Sequence, residues 1–268
     1  LGSHLSIAGG LHKALVKASE YGFGCCAMFV RNQVQWKAPR LRPEAVELFR
    51  AAREKLGIAA VVAHASYLVN LAGRYDVRRK SIAAMREDVS RCHNLGIEYL
   101  VFHPGSREDA STGIRMIAEA LNRITDNLPE DSTRVLLETT AGQGNSIGRC
   151  FEELAGILAG LDRPELSGVC LDTCHVFAAG YDLRSAEAYA QTMSSFDRTL
   201  GIRSLKAVHL NDSRTALGSR VDRHAHIGKG AIGLQGFACL VNDQRLADVA
   251  MILETPKGND EAGRDWDQ

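Results

Sequence analysis

The sequence predicts one (β/α)8 barrel, or TIM barrel, over residues 1–268, an α/β fold of eight parallel strands and surrounding helices. First, eight short apolar runs alternate with longer stretches of helical periodicity. Second, a length of 268 residues fits one such barrel. Third, the segment HLSIAGG lacks the Gly-x-Gly-x-x-Gly spacing of an open doubly wound sheet, which is the competing arrangement.

The predicted elements follow one another regularly along the chain. The strands are residues 1–6, 25–30, 59–63, 99–102, 134–137, 168–171, 205–210 and 249–253, and the clearest helices are 43–56, 77–95, 113–128, 148–161 and 186–200. Pro43 suits a first helical turn, and Ser111 and Ser185 suit N-caps. Gly57 and Gly96 suit left-handed C-caps. Few residues follow the eighth strand, so the last helix is expected to be short or truncated.

The composition indicates a globular protein with a buried core, since 45% of the residues are hydrophobic and 24% are charged. No apolar run approaches the ~18 residues that span a bilayer. The first residues lack the pattern of a secretory signal, so we expect a cytoplasmic protein with no membrane partner. The seven cysteines are irregularly spaced and odd in number, which favours reduced thiols. Cys174, between two candidate ligands, is a weak exception.

An ionisable residue closes seven of the eight apolar runs: His4, His64, His103, Glu138, Asp172, His209 and Glu254. With 9 histidines and 32 acidic residues among 268, chance would rarely produce this pattern. The carboxyl ends of barrel strands form the rim that bears active sites, so these side chains are expected to converge. So many imidazoles and carboxylates are costly to bury unpaired. The pattern therefore predicts divalent metal, with zinc preferred and manganese or iron as substitutes.

Two loops extend this set of candidate ligands. In DTCH, Asp172 and His175 are three residues apart and can face one centre. In VDRH, Asp222 and His224 alternate around Arg223, which places the guanidinium on the other side of an extended segment. The nine candidates are His64, His103, Glu138, Asp172, His175, His209, Asp222, His224 and Glu254. Nine ligands exceed the four to six positions of one ion and suit three ions.

Nine segments of the sequence resemble the endonuclease IV family, in order from the first strand to the last. They are HLSIAGG at 4–10, NQVQW at 32–36, HASYLVNLA at 64–72, FHPGS at 102–106, ETTAGQGNSIG at 138–148, CLDTCHVFAAGYDL at 170–183, VHLNDS at 208–213, GSRVDRHAHIGKGAIG at 218–233 and ILETP at 252–256. Long motifs in the same order make this resemblance specific.

The resemblance implies a (β/α)8 barrel that binds duplex DNA and cleaves its backbone 5′ to abasic sites. The products would be a 3′-hydroxyl and a 5′-deoxyribose phosphate, and cleaning of blocked 3′ ends is a further expected activity of this deoxyribonuclease IV type. It also implies three Zn²⁺ per chain, with Mn or Fe as alternatives at some positions. Matched by motif, the ligands are His64, His103 and Glu138 for the first ion, Glu138, Asp172, His209 and Glu254 for the second, and His175, Asp222 and His224 for the third.

The implied mechanism assigns catalytic roles to Glu138, which would bridge two ions, and to Glu254, which would orient the nucleophile. Two cations ~3.5–4 Å apart can share a hydroxide and aim it at phosphorus, while the third neutralises the leaving oxygen. Bound metal also changes the charge argument. The formal net charge of zero disfavours a nucleic-acid partner, but three Zn²⁺ would raise it to about +6. For His4, support of the ligands and simple packing both remain open.

The implied DNA contacts lie in two loops and along the rim. Tyr67 and Leu68 stand where the family inserts a wedge into the base stack, and packing of both against the next helix is the alternative. In NQVQW, Gln33, Val34 and Gln35 are candidates, but Val34 stands where arginine is common and cannot donate hydrogen bonds. Basic candidates for phosphate contacts are Arg31, Arg220, Arg223 and Lys229.

Two other functions remain open at the level of sequence. A divalent-metal sugar isomerase or epimerase on the same barrel would need one or two ions and no wedge loop. A lesion-binding protein without catalysis would bind abasic DNA but would not nick it. The barrel and its DNA groove need no partner subunit, so a monomer is expected.

Overall fold

The computed structural model describes residues 1–255. Its strands are β1 (Gly2–His4), β2 (Cys25–Phe29), β3 (Ala60–His64), β4 (Tyr99–Phe102), β5 (Arg134–Glu138), β6 (Ser167–Asp172), β7 (Leu205–Leu210), β8 (Asp212–Ser213), β9 (His224–Ala225) and β10 (Ala250–Leu253). Eight of them close into a parallel barrel in the order β1, β10, β7, β6, β5, β4, β3, β2. Strands β8 and β9 form a separate antiparallel pair. The predicted (β/α)8 fold is confirmed.

The helices are α1 (His12–Glu20), α2 (Pro43–Leu56), α3 (Tyr75–Leu95), α4 (Ala110–Thr125), α5 (Phe151–Ala159), α6 (Thr173–Ala179), α7 (Ala186–Leu200) and α8 (Gly233–Val241). Helices α2 and α7 have the predicted bounds, whereas α1, α6 and α8 are not among the five helices whose bounds the sequence predicted. The helix expected after the last strand lies outside the described residues. None of the helices in residues 1–255 is long and apolar enough to cross a membrane.

The helix caps confirm four of the five predicted positions. Pro43 begins α2. Gly57 and Gly96 end α2 and α3 with φ values of 65° and 74°, a conformation that glycine adopts without steric cost. The hydroxyl of Ser185 accepts the amide of Ala188 at the start of α7.

The predicted N-cap at Ser111 is wrong, because α4 begins one residue before it. The cap is Asp109, whose side chain accepts the amide of Ser111. Two hydroxyls, those of Ser111 and Thr112, also donate to this carboxylate.

Side-chain alternation along the strands separates two apolar layers. The layer inside the barrel consists of Cys25, Ala27, Val62, Val101, Leu136, Cys170, Ala207, Ala250 and Ile252. Their neighbours in the strands, such as Val61 and Ala63, pack outward against the helices. Because side chains two residues apart share a face, the residue two positions beyond an interior residue also faces the barrel axis. This period directs the polar side chains at the strand ends toward the mouth of the barrel.

All seven cysteines are free thiols, as expected.

Candidate metal centre

Six of the nine candidate ligands occupy the interior face at the carboxyl ends of their strands. Each lies two residues beyond an apolar residue of the interior layer: His64, His103, Glu138, Asp172, His209 and Glu254. The same alternation that fills the barrel with apolar side chains therefore brings these six together above that layer. The sequence predicted this convergence from the strand ends.

Glu138 lies at the centre of the group and is 1% exposed. Its Oε2 is 3.1 Å from Nε2 of both His64 and His103. Its Oε1 is 2.9 Å from Nδ1 of His209 and 3.5 Å from Nδ1 of His175. The two oxygens of one carboxylate thus face different sets of imidazoles, as a bridging ligand requires.

Three groups of donor atoms in the described residues have the spacing of metal sites. Within each group the atoms lie within 4.8 Å of one another: His64, His103 and Glu138; Glu138, Asp172, His209 and Glu254; and His175, Asp222 and His224. A fourth, overlapping group joins Asp172, Cys174 and His224. All nine predicted candidates are brought together, and the first three groups match the predicted sets.

Backbone carbonyls orient three of the imidazoles. Nδ1 of His64 donates to the Ala65 carbonyl at 2.7 Å, and Nδ1 of His175 donates to the Thr139 carbonyl at 2.8 Å. Nδ1 of His224 donates to the Glu254 carbonyl at 3.2 Å. In each ring the other nitrogen is then left to face the carboxylates, an arrangement typical of metal-binding histidines.

Helix α6 places Asp172 and His175 on one side of the site. Asp172 caps the helix, and its Oδ1 accepts the amide of His175 at 2.7 Å. Its Oδ2 accepts Nδ2 of Asn211 at 2.6 Å. Nε2 of His175 lies 3.1 Å from Asp222 Oδ2. Sequence reasoning missed the role of Asn211, although its place two residues after His209 at the end of β7 was a usable signal.

The strand pair β8–β9 carries the remaining ligands to the rim. Ser213 pairs with His224, so the segment that holds Asp222 and His224 is fixed beside the end of β7. Nε2 of His224 lies 3.1 Å from Asp222 Oδ1, yet it is buried and has no hydrogen-bond partner within residues 1–255. A buried imidazole nitrogen that makes no hydrogen bond and faces carboxylates has the surroundings expected of a metal ligand.

The electrostatics of the site also fit cations. Burial alone would lower the pKa of His175, but the charges of Asp172 and Asp222 raise it to about 10. The pKa of His224 is likewise raised to about 9. Burial would raise the pKa of Glu138, but His103 and His209 hold it well below its ordinary value. The carboxylates of this site thus favour positive charge on the imidazoles beside them, and a bound cation can supply that charge instead.

Of the two interpretations of His4, support of the ligands is favoured by a contact, since Nδ1 of His4 lies 3.2 Å from Oε1 of Glu254.

A cleft of about 520 Å³ opens over the site, and Tyr67, Leu68 and His103 line it. Tyr67 is 60% exposed, with its ring 5.5 Å from that of His64. Tyr67 is thus largely exposed beside the cleft, whereas Leu68 is half-buried.

The four basic residues predicted to contact phosphate differ in their exposure. Arg220, Arg223 and Lys229 are exposed, and Arg220 has a φ of 57°. Nη1 of Arg223 donates to the Asp222 carbonyl at 2.7 Å. The prediction that Arg31 contacts phosphate is wrong, because Arg31 is 5% exposed and paired with buried Asp88. The sequence could not show this, because Asp88 is 57 residues away.

Comparisons with known proteins show which proteins this chain resembles. Residues 15–268 match the family described as xylose isomerase-like TIM barrel. The probable endonuclease 4 of Geobacter sulfurreducens is 48% identical over 264 residues, which cover 97% of this chain and 89% of that protein. The probable endonuclease 4 of Chloroflexus aurantiacus is 46% identical, with 97% and 93% covered.

Solved structures give the same result. Endonuclease IV from Thermus thermophilus superposes with a TM-score of 0.87 at 40% identity, covering 96% of this chain and 92% of that one. A D-tagatose 3-epimerase-like protein has a TM-score of 0.72 at 19% identity, with 94% and 90% covered, and that likeness shows the fold alone.

Proposed function

Since the chain belongs to the endonuclease IV family, we propose that it is a DNA-repair hydrolase that cleaves duplex DNA on the 5′ side of abasic sites. The products are a 3′-hydroxyl and a 5′-deoxyribose phosphate. The same phosphodiester chemistry extends to the removal of blocking groups from 3′ ends. The observation that carries the proposal is the placement of Glu138, whose two oxygens face two separate groups of candidate ligands.

We assign three Zn²⁺ to the three groups of donor atoms, with Mn or Fe as alternatives at some positions. The donor set supports this assignment, because mixed imidazole and carboxylate ligands suit zinc and its first-row neighbours. The ligands are His64, His103 and Glu138; Glu138, Asp172, His209 and Glu254; and His175, Asp222 and His224. When bound, divalent ions lower the pKa of coordinated water and offset the negative charge of a phosphodiester.

The chain itself positions the groups that act on substrate. Glu254 contacts His4 through Oε1 at 3.2 Å and His209 through Oε2 at 3.0 Å, so its carboxylate is held at the mouth of the barrel. We assign to it the orientation of the attacking water. The imidazoles of His64, His175 and His224 are fixed by backbone carbonyls and keep one nitrogen aimed at the centre. Such preorganised polar groups act without reorganising during the reaction.

The DNA contacts follow from exposure around the cleft. Tyr67 and Leu68 line it and would fill the gap left by the missing base. Val34 is 64% exposed on the loop with Gln33 and Gln35, and it would contribute apolar contact where arginine is common in the family. Exposed Arg223 is assigned to phosphate. The cleft and all nine candidate ligands come from one chain, which supports a monomer as the active unit.

A nicking assay tests the function directly. The substrate is a labelled duplex with one tetrahydrofuran abasic analogue, and the matched control is the same duplex without the lesion. We expect one cut 5′ to the analogue, its loss when the protein is treated with a chelator, and its return with Zn²⁺. Binding without a cut would favour the lesion-binding function instead. Bound metal, measured on the same preparation, should approach three ions per chain, whereas one or two ions would favour the sugar isomerase or epimerase.

A further inference from the structure

Arg31 and Asp88 form a fully buried ion pair beside the DNA-facing loops. Nε of Arg31 donates to Oδ1 of Asp88 at 2.6 Å, and Nη2 donates to Oδ2 at 3.0 Å. The side chains are 2% and 1% exposed. Arg31 follows β2, and Asp88 lies in the middle of α3. Such a two-point contact fixes the orientation of the guanidinium plane relative to the helix.

The third guanidinium nitrogen, Nη1, binds a loop and not the carboxylate of Asp88. Nη1 of Arg31 donates to the carbonyls of Gln35 at 2.8 Å and Trp36 at 3.0 Å. We call residues 32–36 the probing loop. One side chain therefore binds helix α3 and the far end of the probing loop at the same time, which a lysine ammonium could not do with the same geometry.

The rest of the probing loop is also tied down. The amide of Val34 donates to Asn32 Oδ1 at 2.9 Å. The hydroxyl of Ser66 donates to the Gln33 carbonyl at 2.6 Å and accepts the amide of Leu68 at 3.2 Å. Ser66 begins the segment 66–70, which carries Tyr67 and Leu68 and which we call the wedge loop. A single hydroxyl thus joins the two loops.

Helix α3 anchors the wedge loop as well. The amide of Asn70 donates to the hydroxyl of Ser81 at 3.0 Å, in the second turn of α3. Nζ of Lys80 lies 5.9 Å from the ring centre of Trp36. Ser81 and Asp88 are seven residues apart, so they share one face of the helix. Both loops are therefore fixed to the same face of α3.

These contacts leave an exposed side chain on each loop while the backbone around it is hydrogen-bonded. Val34 and Tyr67 are 64% and 60% exposed. The carbonyls on both sides of Val34, those of Gln33 and Gln35, accept hydrogen bonds, and so does the Ser66 carbonyl before Tyr67, while the Leu68 amide after it donates one. Ordering a mobile loop when DNA binds would reduce affinity, because the lost conformational freedom opposes binding. Loops that are already ordered avoid this penalty.

We propose that Arg31 and Asp88 are positioning residues that hold the probing loop, and through Ser66 the wedge loop, in the DNA-binding conformation before DNA arrives. The part of this inference that concerns DNA rests on the proposed function. The part that concerns loop order does not.

The test is the double variant Arg31→Met/Asp88→Leu, measured in the metal-loaded full chain. Replacing both partners of a buried ion pair with apolar residues generally preserves folding, whereas removing one partner leaves a buried charge. This variant therefore removes the two hydrogen bonds from Arg31 Nη1 to the probing loop without leaving an unpaired charge. Arg31→Lys is the second variant, since it keeps the charge but loses the simultaneous contacts.

Two measurements separate the loop effect from the functional one. Hydrogen exchange of the Val34 and Gln35 amides in DNA-free protein should accelerate at least about tenfold in the double variant. The KM for abasic duplex should rise about tenfold while kcat stays within about threefold, because the loops act in binding. Arg31→Lys should lie between the parent and the double variant in both measurements.

The control is Glu98→Gln, which weakens a more exposed arginine–carboxylate pair at the opposite end of the barrel. Arg53 there also joins a carboxylate, that of Glu98, to backbone carbonyls, including those of Ile58 and Ala59. This variant should leave loop exchange and KM unchanged. Unchanged exchange in the double variant would overturn the proposal, and faster exchange with an unchanged KM would overturn its role in the reaction. A parent protein that fails to nick abasic DNA would refute the proposed function, while the exchange result would still decide the loop inference.

Discussion

Two carboxylates in this protein are equally buried but have opposite surroundings. Asp212, which is 0% exposed, accepts five backbone amides and no side-chain donor within residues 1–255; the amides are those of Ser213, Gly228, Gly230, Ile232 and Gly233. Glu138, which is 1% exposed, faces imidazoles instead. Backbone amides are permanent neutral donors, whereas an imidazole can exchange its proton for a metal ion.

The difference indicates what each carboxylate is for. Asp212 has enough fixed donors to be satisfied in every state of the protein, and it holds the segment from Gly228 to Gly233 against β8. That segment follows directly after Asp222 and His224, so Asp212 supports one group of ligands without joining it. Glu138 instead faces imidazole nitrogens, which can donate an N–H to it or hold a metal ion beside it. Burial alone does not distinguish a structural acid from a metal ligand, but the chemistry of its partners does.

The largest expected effect comes from Glu138→Gln. An amide has one oxygen, so it cannot offer a ligand to both groups, and we expect abasic nicking to fall at least about 10³-fold. Bound metal should fall as well. Single-turnover nicking and metal analysis of the purified variant provide the measurements.

The matched control for that prediction is Glu153→Gln. Glu153 is also a buried glutamate, but its Oε2 accepts the backbone amides of Gly148 and Arg149 at 2.7 and 3.2 Å. Nicking should stay within about threefold of the parent, since these donors are structural. Parent-like nicking by the Glu138 variant would contradict the bridging role.

Much of this contrast was open to prediction from the sequence. The strand ends at His64, Glu138 and His209 are visible as polar residues that close apolar runs, and the period of two in a strand puts them on the interior face. The (β/α)8 barrel was predicted from the alternation of short apolar runs with helical stretches. What local patterns could not give were the partners supplied by distant segments.

Arg31 illustrates that limit. Its sequence neighbours suggested a rim cation, but its actual partner is Asp88, which packing of α3 against the end of β2 brings into contact. Asp212 was considered only as part of a motif, since its five amide donors come mostly from a loop 16 to 21 residues later. Ion pairs and amide clusters of this kind depend on tertiary packing, which no short spacing encodes.

The next effect in size is on folding, from Asp212→Asn. One side-chain oxygen becomes an NH2 group that faces backbone donors, so at least two buried amides lose their acceptor. We expect the free energy of unfolding to fall by about 3 kcal/mol. Urea denaturation of chelator-treated protein measures this loss without the contribution of bound metal. Asp248→Asn, at an exposed aspartate, is the control, and a loss at Asp212 no larger than at Asp248 would refute the structural role.

The smallest expected effect is a pH dependence of folding stability, which we expect from the imidazoles of the candidate metal centre around Glu138. Without metal, the pKa values of His175 and His224 are raised to about 10 and about 9 by carboxylates that outweigh burial. A raised pKa in the folded state adds stability that is complete below the ordinary value near 6.5 and is lost as pH rises through about 9 to 10. Chelator-treated protein should therefore lose stability between pH 6.5 and 8.5, by at least about 1.4 kcal/mol.

Urea unfolding at the two pH values measures this loss, and His224→Asn should reduce it, because one of the raised imidazoles is gone. The exposed His226 offers the matched control, since His226→Asn should leave the slope as in the parent. The donors to Asp212 that the described residues supply are backbone amides, whose protonation does not change between pH 6.5 and 8.5, so Asp212→Asn should lower stability by the same amount at both pH values. A slope that Asp212→Asn alters and His224→Asn does not would reverse the assignment, because the proton-dependent region would then be the amide cluster and not the candidate metal centre.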